Sequence, residues 1–486
     1  MDPKASVPKL TLHIMPSGEQ DVKIKCKFMT ATSSNQGERQ LTARAGMDNI
    51  VLLNYNEMFD VFTTSNKLFT VKDPRIIIEA SSDVKIIARY YTDNDGVSAS
   101  GDAYLLPTTD LIGNSYYISL PKALDKSNQL VSIMATEFQD VKGTAKVYSF
   151  GVLQYTFDFN LESTFGSDQA TLVTNSMMLD TSIHIEANGP FYVTAVVPRV
   201  DLSRLSMNAA SGKSGDVSDY VAFMPAPIST YDCTTTLSKD EVHLITNAYS
   251  KFIYVAPNDL KCEDNINSLS VTCFQGKDSP VKETISSNSG SKYTIFIVPQ
   301  FAILSHYTGT SMSRVGGTMD ANILYLTNAF INTIPETTQY LTGPTNFVTF
   351  SASSFLEIYG INLDKSTFMI DGKNVPNAII AQYPLDIINP AYQSYTIMVP
   401  LFGSHTFYAK GSYVVYVIGF NADNSQSVYS YLAGYGKSQL STVPTKNITP
   451  GGPPTTTLKP GTTTKASSIL STQSSLFTAC LLYFMI

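Results

Sequence analysis

The chain has 486 residues, a formal net charge of −7, 43% hydrophobic residues and only 15% charged residues. This is enough apolar material for the cores of about two to four ordinary domains. A dispersed acidic balance, with no basic run or aromatic–basic interleaving, speaks against nucleic acid as a partner.

From the N-terminus, MDPKASVPKLTLHIMPSGEQ lacks the apolar run of roughly 7–15 residues that a secretory leader carries. VKIKCKF then places Val22, Ile24, Cys26 and Phe28 on one face and Lys23, Lys25 and Lys27 on the other, the period of a strand. Asp93-Asn94-Asp95-Gly96 follows IIARYYT as a turn; a calcium loop would need a spaced acidic set that is not there. LQYTFDFNL alternates Leu153, Tyr155, Phe157, Phe159 and Leu161 with polar residues. Asn188-Gly189 predicts a hairpin between SIHIEA and PFYVTAVV, because both positions tolerate positive φ. IYVAPNDLK and SLSVTCF look like two strands around a turn, and Asp371-Gly372 closes another after STFMI. With 53 Phe and Tyr and no convincing helical period, helices should be few and short.

Weak repeats suggest the organisation. VKIIARYY from Val84, FYVTAVVP from Phe191 and FAILSHYT from Phe301 are followed by DAYLLP from Asp102, DYVAFMP from Asp219 and DANILYLT from Asp320. A spacing of ~110 residues is that of a β-sandwich module. The fold class expected is all-β, with about three sandwich-like units at residues 1–165, 166–275 and 276–440.

The C-terminus has a different composition. Residues 441–468 form a Thr/Pro-rich stalk suited to O-glycosylation, with one N-glycosylation sequon at Asn447. The small residues Ala466, Ser467 and Ser468 precede a polar spacer and the apolar end LFTACLLYFMI, the order of a GPI attachment signal over residues 469–486. The alternative, a membrane span, is short: eleven helical residues reach only ~16 Å. A lipid anchor requires entry to the secretory pathway, so the expectation is a natural start upstream of Met1.

If Cys480 is removed with the tail, Cys26, Cys233, Cys262 and Cys273 remain, an even number that suits an oxidising compartment. Three pairings exist. A hairpin around residues 263–272 favours Cys262–Cys273, which leaves Cys26–Cys233 by elimination; four buried free thiols are the alternative. No CxxC or Cys/His cluster suggests a metal, and no cofactor is expected.

The run from Arg75 to Pro121 contains an Asp102–Pro107 segment followed by Leu111, Gly113 and Tyr116-Tyr117. LVSIMATEFQDVKGTAKVYSF follows. The closing segment carries Gly403, Ser404, His405, Thr406, Tyr416, Gly419, Phe420, Tyr431, Ala433 and Gly434. Together these resemble the N-terminal domain of the IgG Fc-binding protein family, over most of residues 70–436. The resemblance implies an extracellular, mucus-associated binding module without catalytic signature; it does not imply Fc binding, and the family's cysteine-rich repeats are missing. Gly403 and Gly419 would serve tight turns or close strand approach, and the tyrosines would pack at sheet edges and interfaces.

Catalytic patterns are sparse. His13 and His184 sit on the polar faces of LTLHI and SIHIEA and should face solvent. His405 suits a structural hydrogen bond in a turn. His306 is a base candidate only, since Ser311 lacks the GxSxG elbow. Gly212-Lys213-Ser214 and Gly436-Lys437-Ser438 lack the P-loop's first glycine, replaced by Met207 and Tyr431. The function expected is a cell-surface or secreted binding protein, not an enzyme. Its partners would be an extracellular glycoprotein, mucus or matrix component and, through the lipid anchor, the membrane. The alternative is a secreted hydrolase of glycans or esters.

Overall fold

The computed structural model describes residues 9–30, 36–53, 66–92, 101–124, 127–175, 181–201, 218–228, 235–237, 241–257, 268–275, 281–286, 291–294, 300–305, 310–317, 328–386, 389–420, 428–437 and 442–444. Among them the chain forms 32 strands, numbered β1–β32 in chain order, two 3₁₀ turns and no α-helix. The all-β fold follows from alternation that is also an alternation of burial. Along β2 (Val22–Met29), Val22, Ile24, Cys26 and Phe28 are buried while the lysines between them reach solvent.

Four sheets each end in a short strand at the centre of the molecule. The first runs β4 (Asn49–Leu53), β1 (Lys9–Pro16), β7 (Val84–Tyr91) and β8 (Gly101–Leu105). The second is eight-stranded. Its path runs β12 (Val152–Leu161), β11 (Val141–Ser149), β14 (Thr181–Asp201), β10 (Gln129–Ala135), β13 (Gln169–Thr174) and β5 (Lys67–Val71). Off that path, β9 (Gly113–Leu120) and β15 (Ser218–Phe223) also pair with β14. The third runs β21 (Ser291–Thr294), β18 (Ser250–Pro257), β23 (Thr310–Gly316) and β24 (Phe330–Thr333). The fourth is built on β26 (Ser354–Ile370) and β30 (Gly403–Phe420), with β25 (Thr345–Thr349) and β31 (Val428–Leu432) on β30. A three-stranded sheet of β3 (Gln36–Ala43), β2 and β6 (Ile76–Ala80) covers the first as a sandwich, sharing its apolar core.

The inner strands form a ring: β8 neighbours β15 and β31, and β24 neighbours the same two. Buried polar groups link each neighbouring pair. Asp102 accepts from its own strand's Ala103 N–H (2.8 Å), from Ala222 on β15 (3.3 Å) and from Ser430 on β31 (3.2 Å). Asp219 on β15 accepts from Tyr220 (2.8 Å), from Gly101 on β8 (3.3 Å) and from Ala329 just before β24 (3.1 Å). Asn332 on β24 and Ser430 on β31 exchange two bonds, of 2.9 and 3.0 Å. Strands without a ladder partner at the centre thus have part of their backbone satisfied by side chains.

The ring adds a fourth member to the three repeats seen in the sequence and changes the third. FAILSHYT falls on β22 (Gln300–Ser305), which belongs to the separate sheet β17 (Glu241–Thr246), β22, β19 (Ser268–Gln275) and β20 (Val281–Ser286). The strand beside β24 is β23 instead, and residues 320–327 lie outside the described residues. Residue 165 lies between β12 and β13, and residue 275 ends β19; both positions fall within a hydrogen-bonded sheet.

Two expected hairpins are absent. β14 runs straight through Asn188-Gly189, pairing with β11 as far as Ala187 and with β10 from Phe191 onward. The strand exchanges partners instead of turning: Asn188 Oδ1 accepts the Lys142 N–H (2.9 Å), and a Cβ on Gly189 would meet Gln139 at 2.7 Å. β18 and β19 lie in different sheets because each already has strands on both edges. The segment that links them, residues 258–267 with Cys262, lies outside the described residues. Asp371-Gly372 does turn, at φ 51° and 71°, joining β26 to β27 (Lys373–Asn374).

Candidate binding cleft

The path of the eight-stranded sheet ends on β12 at one side and β5 at the other. β12 is laddered only to β11 and β5 only to β13, so each leaves one row of backbone groups without a strand partner among the described residues. Between them opens a cleft of about 760 Å³, a volume within the range of ligand sites. Its walls are residues 68–70 of β5 and 156–161 of β12, and its floor is residues 166–170. Consecutive residues line each wall. Side chains of a strand alternate between two faces, so a cavity met by both parities is met by the strand's edge.

The floor is fixed by an ion pair of zero exposure. Arg75 donates to both Asp73 oxygens (2.7 Å each), to the Ala135 carbonyl at the end of β10 (3.1 Å), and to Ser163 (3.0 Å) and Thr164 (2.8 Å) in the β12–β13 loop. Asp73 also accepts the Gly166 N–H (2.7 Å). One guanidinium thus ties the start of β6, the end of β10 and the cleft floor together, with the bidentate geometry that arginine favours.

Burial along β12 is graded. Leu161 and Phe159 are in the core, Tyr155 and Phe157 are half-buried and stacked at 6.0 Å, and Leu153 is 50% exposed. The alternation anticipated for LQYTFDFNL is present, but its apolar face leaves the core toward the hairpin tip. That tip is Phe150-Gly151, at φ 49° and 74°. Phe150 and Val152 are 64% and 62% exposed. Thr156, Asp158 and Asn160 face solvent, and Lys72 meets Asp168 at 3.9 Å on the rim.

The histidines lie elsewhere. Contrary to the solvent-facing expectation, His13 and His184 are buried, because the faces that look polar in sequence are covered by aromatic rings. His13 lies against the Phe350 ring (4.6 Å) and His184 stacks on Tyr117 (6.0 Å). His13 also bonds Thr11 Oγ1 (3.0 Å) and Asp48 (2.9 Å), a hydroxyl–imidazole–carboxylate chain. Thr11 is 5% and His13 3% exposed, so a substrate cannot reach the hydroxyl without parting the sheets. His405 makes the structural bond foreseen for it, to Asp371 at the β26–β27 turn (2.8 Å). His306 lies outside the described residues.

No protein-family model matches the chain, and no curated protein matches it.

Cys26 is a free thiol with no exposed surface, and burial pushes its pKa up to about 12. Cys233 and Cys262 lie outside the described residues, as do the Cys273 side chain, Asn447, Ala466, Ser467 and Ser468. The resemblance-bearing residues are structural. Gly403 sits at φ +112°, and a Cβ on Gly419 would meet the Tyr429 hydroxyl at 2.5 Å. Tyr431, on the end strand β31, is in the core: its hydroxyl donates to the Val348 carbonyl (2.6 Å) and accepts the Val348 N–H (2.7 Å). Among the described residues no group of three or more His, Cys, Asp or Glu is placed to hold a metal. The Asp73–Arg75 clamp had no signal in the sequence. The Phe150-Gly151 turn did have one, a two-residue link ending in glycine between AKVYS and VLQYTF.

Proposed function

We propose that the protein is an extracellular, cell-surface binding or adhesion protein. It is held to the membrane by a lipid attached within Ala466, Ser467 and Ser468, and it recognises a glycoprotein, mucus or matrix partner through the β12–β5 cleft. The observation that carries this reading is an open cleft whose walls carry the half-buried Phe69 and Phe157, on a floor fixed by a buried ion pair, the combination of contact surface and rigidity that binding sites use. The resemblance to the mucin-associated family and the stalk-and-tail composition support the same location.

Capture of the full chain on mucin- and matrix-glycoprotein-coated surfaces tests it. Saturable binding, weakened at least about tenfold by Thr156→Arg, is the expected result. Binding unaffected by that exposed substitution would remove the cleft from the proposal. Release of the surface protein by a phosphatidylinositol-specific phospholipase tests the anchor.

A further inference from the structure

The cleft's walls state what chemistry fits between them. Residues 68–70 and 156–161 present consecutive positions to one cavity, so both walls offer strand edges: rows of amide N–H and carbonyl groups at strand spacing. A glycan or small apolar ligand would leave most of those groups to water. An extended polypeptide satisfies them in register, and open strand edges are ready templates for such pairing.

The side-chain surroundings add a second requirement. On the inward side of β12, Tyr155 and Phe157 are stacked and half-buried at the margin of the core, with Leu153 exposed beyond them toward the tip, while Phe159 and Leu161 close the far end. On the outward side, Thr156, Asp158 and Asn160 are exposed. A strand added to β12 alternates in the same sense, so every second residue faces the aromatic row and the others face solvent.

We infer that the cleft receives an extended segment of a partner protein, alternating apolar and polar residues, which adds to the free edge of β12 as a further antiparallel strand and fills the opening toward β5. This rests on the reading of the cleft as the binding site and specifies its ligand as polypeptide backbone. β12 is the edge engaged because it contributes the longer wall, and its ladder to β11 runs unbroken from Val141↔Leu161 to Val147↔Tyr155.

The test uses the full chain in a mild non-ionic detergent and a fluorescent peptide alternating Thr and Val between Lys ends. A control peptide of the same composition has its valines in one block. The alternating peptide should bind at least about tenfold more tightly than the block control. Only every other amide of a strand faces a given neighbour. N-methylation of one parity of the peptide should therefore abolish binding while methylation of the other leaves it within about twofold.

Equal tolerance of both methylated sets would overturn the inference, as would no binding of the alternating peptide. If the peptide fails while Thr156→Arg still abolishes glycoprotein capture, the cleft binds another chemistry and the inference alone falls. If glycoprotein capture ignores Thr156→Arg, the proposed site falls as well. Concentration-dependent dimers that Thr156→Arg dissolves, without peptide binding, would give the edge to a second copy of the chain and overturn the partner assignment.

Discussion

The central ring and the cleft are both places where short or peripheral strands expose backbone groups, and the protein treats them oppositely. At the ring, Asp102, Asp219 and the Asn332–Ser430 pair reach across to neighbouring strands and take up amides that no ladder serves. At the cleft, no side chain of this kind among the described residues covers the outer edge of β12, and the polar group nearest its middle, Asp158, is turned to Thr144 on β11 (3.0 Å). Satisfied edges hold the sheets together; an open edge is available to bind. Rigidity is supplied to the cleft from below, by Arg75, and not by closing it.

The sharpest way to break this contrast is to remove a ring acceptor. Asp102→Ala leaves three buried N–H groups unpaired, and each such group costs about 1–3 kcal/mol. A loss of about 3–5 kcal/mol in unfolding free energy is expected from urea titration. Asp102→Asn, which keeps the bonds at Oδ1, should lose less than half of that. Arg75→Ala strands a buried carboxylate and should cost about 3–5 kcal/mol. It should also loosen residues 163–166, read as faster amide exchange there and weaker ligand capture. An equal loss of stability with unchanged capture would show that the clamp does not shape the cleft.

A pH series sharpens the ring side. Burial raises the Asp102 carboxyl well above the usual range, opposed by its backbone hydrogen bonds and reinforced by Asp219 nearby. The folded state therefore holds this proton more tightly than the unfolded chain, where an aspartate titrates near about 3.9. The stability so contributed is complete below that value and is lost as pH rises through the elevated folded-state pKa. Asp102→Asn should flatten that decline; a decline of unchanged slope would exclude Asp102 as its source. On the cleft side, Tyr155→Ala and Thr156→Arg should shift the midpoint by under about 1 kcal/mol while weakening binding at least about tenfold. The smallest effect concerns Cys26. With its thiol buried and its pKa raised, it should resist alkylation at pH 8 in the folded protein and react only on unfolding.

How much of this was legible depends on distance along the chain. Period-two burial on β2 and β12 and the Asp371-Gly372 turn are local and were visible. Asn188-Gly189 carries the same local turn signal, yet the strand runs on because β10 and β11 lie beside it in succession, and a dipeptide cannot report its neighbours. His13 looked exposed because its strand alternates, but β1's second face packs against Phe350. The cleft was least visible of all. It joins residues 68–70 to 156–161, and its defining property is missing pairing, which no residue type encodes. The two Asp-to-Pro segments at Asp102 and Asp219 were visible as repeats; that both aspartates serve as acceptors across the ring was not.

The bond from the Ser430 amide to Asp102 joins residues 328 positions apart. β8 leaves the ribosome well before β31, one of its two ring neighbours. At the usual pace of about 5–20 residues per second, the N-terminal sheets wait about 15–65 s with an unfinished inner surface. Such long-range closure is slow and aggregation-exposed, so the nascent chain is a natural client for chaperones until β31 emerges.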